Sequence, residues 1–176
     1  MIRYYVTDRR RADIFDCAER AIRAGVEMIQ IREKDLPGRE LFELVCRIRD
    51  LAAGTTTRIL VNDRLDVALA AGVEGVHLPA NGLPARRVRP YVKLLGVSTH
   101  NLQEAIDAEE SQADFIVFGP IFETPGKMGV GIEPLKKIVS AVKLPVLAIG
   151  GIAAANTDAV LAAGAAGIAG IRLFQT

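Results

Sequence analysis

The sequence predicts an α/β fold, and within that class a closed (β/α)8 TIM barrel. Three observations lead there. Short apolar runs alternate with amphipathic helical segments along the whole chain, which argues a parallel sheet joined by right-handed crossovers. Eight such runs are readable, and eight units favour closure of the sheet on itself. A weak repeat, Ala24-Gly25-Val26-Glu27, Ala71-Gly72-Val73-Glu74, Gln112-Ala113-Asp114 and Ala163-Gly164-Ala165-Ala166, closes a helix and opens a strand at intervals of roughly 40 to 50 residues, about two βα units. An open doubly wound sheet is the alternative; no GxGxxG follows the first run to support it.

Each element follows from its pattern. Residues 3–8 are a β-rich opening that ends in turn residues. Residues 13–24 carry helical spacing (Ile14, Phe15, Ala18, Ala21, Ile22) and stop at Gly25, a helix C-cap residue. Residues 26–32 form the second strand and run into the polar cluster Gln30, Arg32, Glu33, Lys34, Asp35. Residues 37–53 are an amphipathic helix. The third strand, 58–63, again ends polar, and a short helix over 65–71 is closed by Gly72. Residues 75–78 make a very short fourth strand, and 84–89 allow a short helix or turn. The fifth strand is expected over 92–97, ending at Ser98, Thr99 and His100; Asn101 caps a helix to Ser111. The sixth strand is 114–119, followed by a glycine-rich loop over 123–131 and a helix over 133–142. The seventh, 144–152, is apolar with Pro145 at its entrance and Gly150-Gly151 at its exit, as expected of a strand buried on both faces. A helix over 156–163 and a strand over 166–171 complete the series. The chain is shorter than barrels usually are, so the last helix is expected short or missing, with the rim left open or completed by a partner subunit. A single barrel domain over 1–176 and a homodimer that covers exposed barrel surface are the expectations.

The totals narrow the function. The chain has 176 residues, is 50% hydrophobic and carries a net charge of +1. That is enough apolar material for one globular core, and the balance gives no reason to expect nucleic acid or an anionic membrane. The apolar runs are too short to span a bilayer and the N-terminus has no signal-peptide core, so a cytoplasmic protein is expected. Cys17 and Cys46 sit singly in helical patterns and read as core hydrophobes. His77 and His100 are too isolated to suggest zinc.

In a barrel the chemistry gathers at the C-terminal ends of the strands. Those ends carry Gln30, Arg32 and Lys34; Asn62 and Asp63; Ser98; Gly119 and the loop to Lys127; and Gly150 and Gly151. Cations, an amide, a hydroxyl and one carboxylate suit a polyanionic substrate: arginine offers a planar fork to phosphate oxygens and lysine a point charge. Asp63 could hold a Mg2+ that bridges phosphates. A glycine pair between a buried strand and a helix can aim backbone N–H groups at an anion. No Ser-His-Asp or Cys-His set is placed by the pattern. Lys34 lies in a charged cluster, not the apolar pocket that a Schiff-base lysine needs.

Val6-Thr7-Asp8, Gln30-Ile31-Arg32-Glu33-Lys34-Asp35, Val61-Asn62-Asp63-Arg64, Gly75-Val76-His77-Leu78, Gly96-Val97-Ser98, Phe118-Gly119-Pro120-Ile121-Phe122 with Thr124 and Lys127, and Ala148-Ile149-Gly150-Gly151-Ile152 occur in this order and at barrel spacing. The ordered set resembles the thiamine phosphate synthases and their relatives, the TenI-type thiazole tautomerases. The resemblance implies a (β/α)8 barrel that joins an aminopyrimidine diphosphate to a thiazole phosphate and releases diphosphate with Mg2+. It implies that Arg32, Lys34, Asn62 and Lys127 hold the diphosphate and Asp63 the Mg2+. Gln30 and Ser98 would face the pyrimidine and diphosphate, and Thr124 and the Gly151 N–H would take the thiazole phosphate next to Gly150.

The chain departs from that pattern at four places. Gly82 stands where the synthases carry a second Mg2+-binding Asp, which lowers the expected metal affinity. Gly126 stands where a second Thr precedes the lysine, and Arg172 where a Ser meets a phosphate. Pro120 stands where the well-known tautomerase has its proton-transferring His, so a tautomerase built on this chain would need His77, His100 or Glu123 instead. A synthase is the leading expectation. A thiazole tautomerase and a barrel that binds thiazole phosphate without turning it over are the alternatives.

Overall fold

In the computed structural model, which describes residues 1–175, the alternation resolves into eight parallel strands: β1 (Ile2–Val6), β2 (Met28–Ile31), β3 (Arg58–Asn62), β4 (Gly75–Leu78), β5 (Leu94–Thr99), β6 (Phe115–Phe118), β7 (Val146–Ile149) and β8 (Gly167–Gly170). They pair in chain order, and β8 returns to β1 through Ile2↔Gly167 and Tyr4↔Ala169, so the sheet is a closed barrel. Around it lie α1 (Ile14–Arg23), α2 (Gly38–Ala52), α3 (Leu65–Ala71), α4 (Ala85–Val88), α5 (Leu102–Glu110), α6 (Ile132–Ala141) and α7 (Ala154–Ala162). Where an eighth helix would begin there is one 3-10 turn, Arg172–Phe174. Among the described residues no helix is long and apolar enough to cross a membrane.

The sequence repeat is a helix ending used four times. Gly25, Gly72 and Gly164 have φ of 72, 65 and 95°, and Gln112 has φ 60° at the equivalent point. The residue after each donates its N–H five residues back (Val26 to Ala21, Val73 to Ala68, Ala113 to Ala108, Ala165 to Val160). The left-handed residue itself donates three residues back, giving the doubly bonded Schellman cap. The acidic residue that ends three of the repeats has its own task. Glu27, Glu74 and Asp114 accept from the backbone N–H of Arg3, Ile59 and Leu95 at 2.8, 3.3 and 2.6 Å. Each satisfies a donor at the entrance of β1, β3 or β5.

Side chains alternate across the barrel wall. Tyr4, Leu60, Phe115, Val117 and Leu147 fill the interior, while Tyr5, Ile29, Ile59 and Val76 belong to the layer between sheet and helices. Phe118, Ile116, Leu135 and Val160 continue that outer layer around the other half. Cys17 is buried and Cys46 half-buried, both as free thiols.

The second and seventh strands are shorter than the expected runs 26–32 and 144–152, and two further boundaries move for a visible reason. The fifth strand begins at Leu94, not at residue 92, because Lys93 and Leu94 both donate to the Glu74 carbonyl and the Val92 carbonyl is taken by Arg89 at 2.6 Å. Ser98 and Thr99 therefore lie inside the strand. The seventh helix begins at Ala154, so Asn156 is in its first turn. The Asn156 side chain accepts from the Ala153 N–H at 2.9 Å and donates to the Gly151 carbonyl at 3.0 Å.

Candidate active site

At the C-terminal mouth of the barrel, four side chains from four strands are linked in line. Gln30 Nε2 donates to the Tyr4 hydroxyl at 3.0 Å, Tyr4 lies 3.2 Å from His77 Nδ1, and His77 Nε2 lies 2.8 Å from Ser98 Oγ. Tyr4 and His77 are buried against Phe115, which meets Tyr4 edge-on at a centroid distance of 5.4 Å. The rings have room because residue 96 has no side chain: a Cβ there would lie 2.4 Å from Phe115 Cζ and 2.7 Å from His77 Nδ1. Burial, with the Arg32 guanidinium nearby, pushes the His77 imidazolium down to about 3. Burial also pushes the Tyr4 phenol far above its usual range. Both groups are neutral at physiological pH.

The charged turn after β2 divides into two sets. Glu33 is buried and turned inward: it accepts from the Thr7 hydroxyl at 2.6 Å and from the Arg9 N–H at 3.2 Å, while Thr7 accepts from the Arg32 N–H at 3.0 Å. Asp35 takes both arms of Arg9 at 2.9 and 2.8 Å and also meets Arg10 at 3.0 Å. The Arg9 guanidinium, with help from Arg10, holds the Asp35 carboxyl well below the usual carboxylate range. Both acids are thus engaged by the loop after β1. Arg32 and Lys34, like Lys127, form no ion pair among the described residues.

Asp63 closes β3 in a three-residue turn, with φ 61° and the Arg64 N–H donating to the Asn62 carbonyl at 2.8 Å. Its own N–H donates to the His77 carbonyl at 2.9 Å, and its carboxylate is exposed at the mouth. The loop after β4 comes up beside it. A Cβ on Gly82 would lie 2.9 Å from Asp63 Oδ1, so position 82 is next to the carboxylate and Gly82 contributes no side-chain oxygen there. Among the described residues no group of three or more His, Cys, Asp or Glu side chains could hold a metal.

On the far side, the loop after β6 packs on the glycine pair after β7. The Ile121 N–H donates to the Ile149 carbonyl at 2.8 Å and the Phe122 N–H to the Gly150 carbonyl at 3.0 Å. Gly150 and Gly151 have φ of 98 and 64°, and neither has space for a side chain: a Cβ would lie 2.4 Å from Pro120 Cβ and 2.7 Å from Phe122 Cβ, respectively. Thr124 and Lys127 exchange backbone bonds of 3.0 and 2.9 Å across Pro125-Gly126, where Gly126 has φ 78°. That is the turn a Pro-Gly pair favours, and it displays the Lys127 side chain to solvent at the mouth.

The family model for thiamine monophosphate synthase matches residues 3–174. The chain belongs to that family. It is 45% identical over 176 residues to a putative thiamine-phosphate synthase of Geobacter sulfurreducens, covering 94% of this chain and 83% of the relative. A thiamine-phosphate synthase of Methanoculleus marisnigri is 44% identical, with the same coverage of 94% and 83%. The solved thiamine phosphate pyrophosphorylase of Pyrococcus furiosus superposes with a TM-score of 0.90 at 38% identity, over 97% of this chain and 85% of that one.

Within this thiamine monophosphate synthase barrel, Gln30 and Ser98 are joined through Tyr4 and His77, and Arg32 is close enough to His77 to act on its charge. Asn62 pairs in register with His77. Asp63, Lys34 and Lys127 are exposed on the loops around them, and Gly150, Gly151 and Thr124 form the packed β6–β7 side. His100 is a loop histidine: its Nδ1 donates to the Gly119 carbonyl at 2.8 Å and its N–H to Glu104 at 2.7 Å. Sequence reasoning did not single out Tyr4, Glu33 or Gly96 as members of the site. Tyr4 sits beside an identical Tyr5, and only the closed barrel tells which ring turns inward.

Proposed function

We propose that this barrel is a thiamine-phosphate synthase that joins an aminopyrimidine diphosphate to a thiazole phosphate. The observation that carries the reading is the set of cations at the mouth, Arg32, Lys34 and Lys127, left without carboxylate partners while Arg9 and Arg10 are paired. In the reaction, the bond from the pyrimidine methylene to the diphosphate oxygen breaks with its electron pair on diphosphate. The thiazole nitrogen then supplies the pair for the new C–N bond. The demand on the protein is stabilisation of charge on the departing diphosphate. Arg32 offers a two-pronged donor, and Lys34 and Lys127 are mobile point charges. Gln30 and Ser98 face the pyrimidine and its diphosphate from inside the barrel. Asn62 adds an amide to the diphosphate side. The Gly151 N–H and Thr124 hydroxyl receive the thiazole phosphate, with Gly150 giving the loop its close approach.

Mg2+ belongs to this reading. One exposed carboxylate, Asp63, beside the substrate's phosphates is a donor set that suits Mg2+, which keeps most of its coordination for water and phosphate. Bound there, the ion would neutralise charge on the leaving diphosphate. With Gly82 beside Asp63, the protein supplies that one carboxylate and its hold on the ion is weak.

A tautomerase is less well supported. Pro120 cannot transfer a proton, His77 is sealed in the interior, and the His100 ring is engaged by the Gly119 carbonyl. A cytoplasmic setting and a homodimer form part of the same proposal. The test is product formation: aminopyrimidine diphosphate, thiazole phosphate and Mg2+ are mixed with the protein, and thiamine phosphate is followed as thiochrome fluorescence. Product should vanish with EDTA and fall by more than about 100-fold in Lys127→Ala, the loss expected when a donor to developing charge is removed. No product under conditions where a known synthase works would overturn the reading.

A further inference from the structure

The line Gln30–Tyr4–His77–Ser98 has a direction, and the orientation of the Gln30 amide sets it. The amide nitrogen of Gln30 only donates, so the Tyr4 oxygen accepts from it. Tyr4 is 0% exposed, and its hydroxyl proton needs an acceptor; His77 Nδ1, 3.2 Å away, is the one in reach. Nδ1 is therefore bare, and the neutral ring, 2% exposed, carries its proton on Nε2. That proton goes to Ser98 Oγ at 2.8 Å. The Ser98 hydroxyl proton is not used within the line and is free at the mouth, as is the carbonyl oxygen of Gln30.

We infer that Tyr4 and His77 are positioning residues that fix Ser98 as a hydrogen-bond donor and Gln30 as an acceptor toward the aminopyrimidine diphosphate. This rests on the proposed synthase function and goes beyond it, because it assigns work to two residues that touch no substrate. The chemistry of the ligand agrees with the direction. Diphosphate oxygens only accept, so they require a donor from Ser98. The exocyclic amino group of the pyrimidine donates, so it is met by the Gln30 carbonyl. Turning the Gln30 amide over would reverse every bond in the line. Ser98 would then donate inward to His77, and Gln30 would present its N–H groups to an amino group. The line has two directions, and one of them matches the substrate at both ends.

The tautomer of His77 reports the direction. The sequence has 2 histidines, so the imidazole nitrogens of a 15N-labelled sample are few enough to assign with a His100→Asn variant. Without substrate, at mildly alkaline pH, His77 should show its proton on Nε2, and His100, which donates from Nδ1 to Gly119, the opposite tautomer. A His77 proton on Nδ1 in the unaltered protein overturns the inference. Tyr4→Phe keeps the ring and removes the relay. In it the His77 tautomers should mix, and the KM for aminopyrimidine diphosphate should rise about tenfold, the worth of one hydrogen bond to a charged group, while the KM for thiazole phosphate stays put. Unchanged tautomer and kinetics in Tyr4→Phe also overturn it. Because the spectrum of the unaltered protein, assigned with His100→Asn, needs neither substrate nor Tyr4→Phe, it decides the direction even if Tyr4→Phe fails to fold or the synthase assay fails. Failure of that assay counts against the proposed function.

Discussion

Replacing Gly151 by Ala tests the phosphate side of the mouth, and the structure sets the size of the effect. At φ 64° a residue with a Cβ pays about 1–2 kcal/mol for the left-handed backbone. The new Cβ would also lie 2.7 Å from Phe122 Cβ and 2.8 Å from the Glu123 carbonyl oxygen, inside van der Waals contact. Forcing a group into packed surroundings of this kind costs about 1–3 kcal/mol. The total is about 2–5 kcal/mol, and the chain can lower it only by moving the Gly-Gly turn or the loop after β6. Either movement displaces the Gly151 N–H from Thr124. The expected result is a rise of at least about tenfold in the KM for thiazole phosphate, one hydrogen bond's worth, with the KM for aminopyrimidine diphosphate nearly unchanged. Gly54→Ala is the control. Gly54 has φ 77° with nothing within 4 Å of an added Cβ, and it lies between α2 and β3 at the opposite end of the barrel. It carries the backbone cost alone and should lower the urea midpoint with no change in either KM. A folded Gly151→Ala protein with an unaltered KM for thiazole phosphate would refute the placement of that phosphate.

Other consequences follow from single contacts. Gln112 occupies a left-handed helix end that three glycines occupy elsewhere, so Gln112→Gly should stabilise by about 0.5–1 kcal/mol after the extra unfolded-state entropy of glycine is subtracted. The melting temperature should rise by about 1–4 °C, and a fall would contradict the helix-end reading. Gly82→Ala should push the Asp63 carboxylate aside and raise the Mg2+ concentration needed for half-maximal rate several-fold, as read from a metal titration; an unchanged titration would remove Asp63 as the Mg2+ residue. His77 titrates at about 3 in the folded chain against about 6.5 when unfolded, so the unfolded state takes up the proton first as pH falls. Its neutral burial contributes full stability above about pH 6.5, and that contribution is lost at about 1.4 kcal/mol per pH unit on the way down toward 3. His77→Asn should flatten the decline in urea midpoint between neutral pH and about pH 5 by one proton's worth. A slope equal to that of the unaltered protein would show that the ring is not buried neutral.

Much of this protein is local information. Helical and strand periodicity, the glycine helix ends and the polar strand termini are properties of a few neighbouring residues, so the barrel, the order of its elements and the ring of Gln30, Arg32, Asn62, Asp63, Ser98, Lys127 and the glycine pair were legible without coordinates. What the sequence could not decide is which group each side chain meets across the barrel. Arg32, Glu33, Lys34 and Asp35 read as one charged turn; Thr7, Arg9 and Arg10, more than 20 residues away, claim the two acids and leave the two cations. Tyr4 and Tyr5 are the same residue in the same strand, and only closure of β8 onto β1 makes one an interior hydrogen-bonding group and the other part of the outer layer. Val92 extends the apolar run of the strand across Lys93, yet the Arg89 side chain takes the Val92 carbonyl and the Glu74 carbonyl takes the Lys93 N–H, and β5 starts only at Leu94. The requirement for glycine at 96 and the contact of Gly82 with Asp63 exist only because rings and loops distant in sequence arrive there. Backbone pattern is set by neighbours along the chain, whereas the direction of a buried hydrogen bond and the partner of a charge are set by whatever folding brings within about 3 Å.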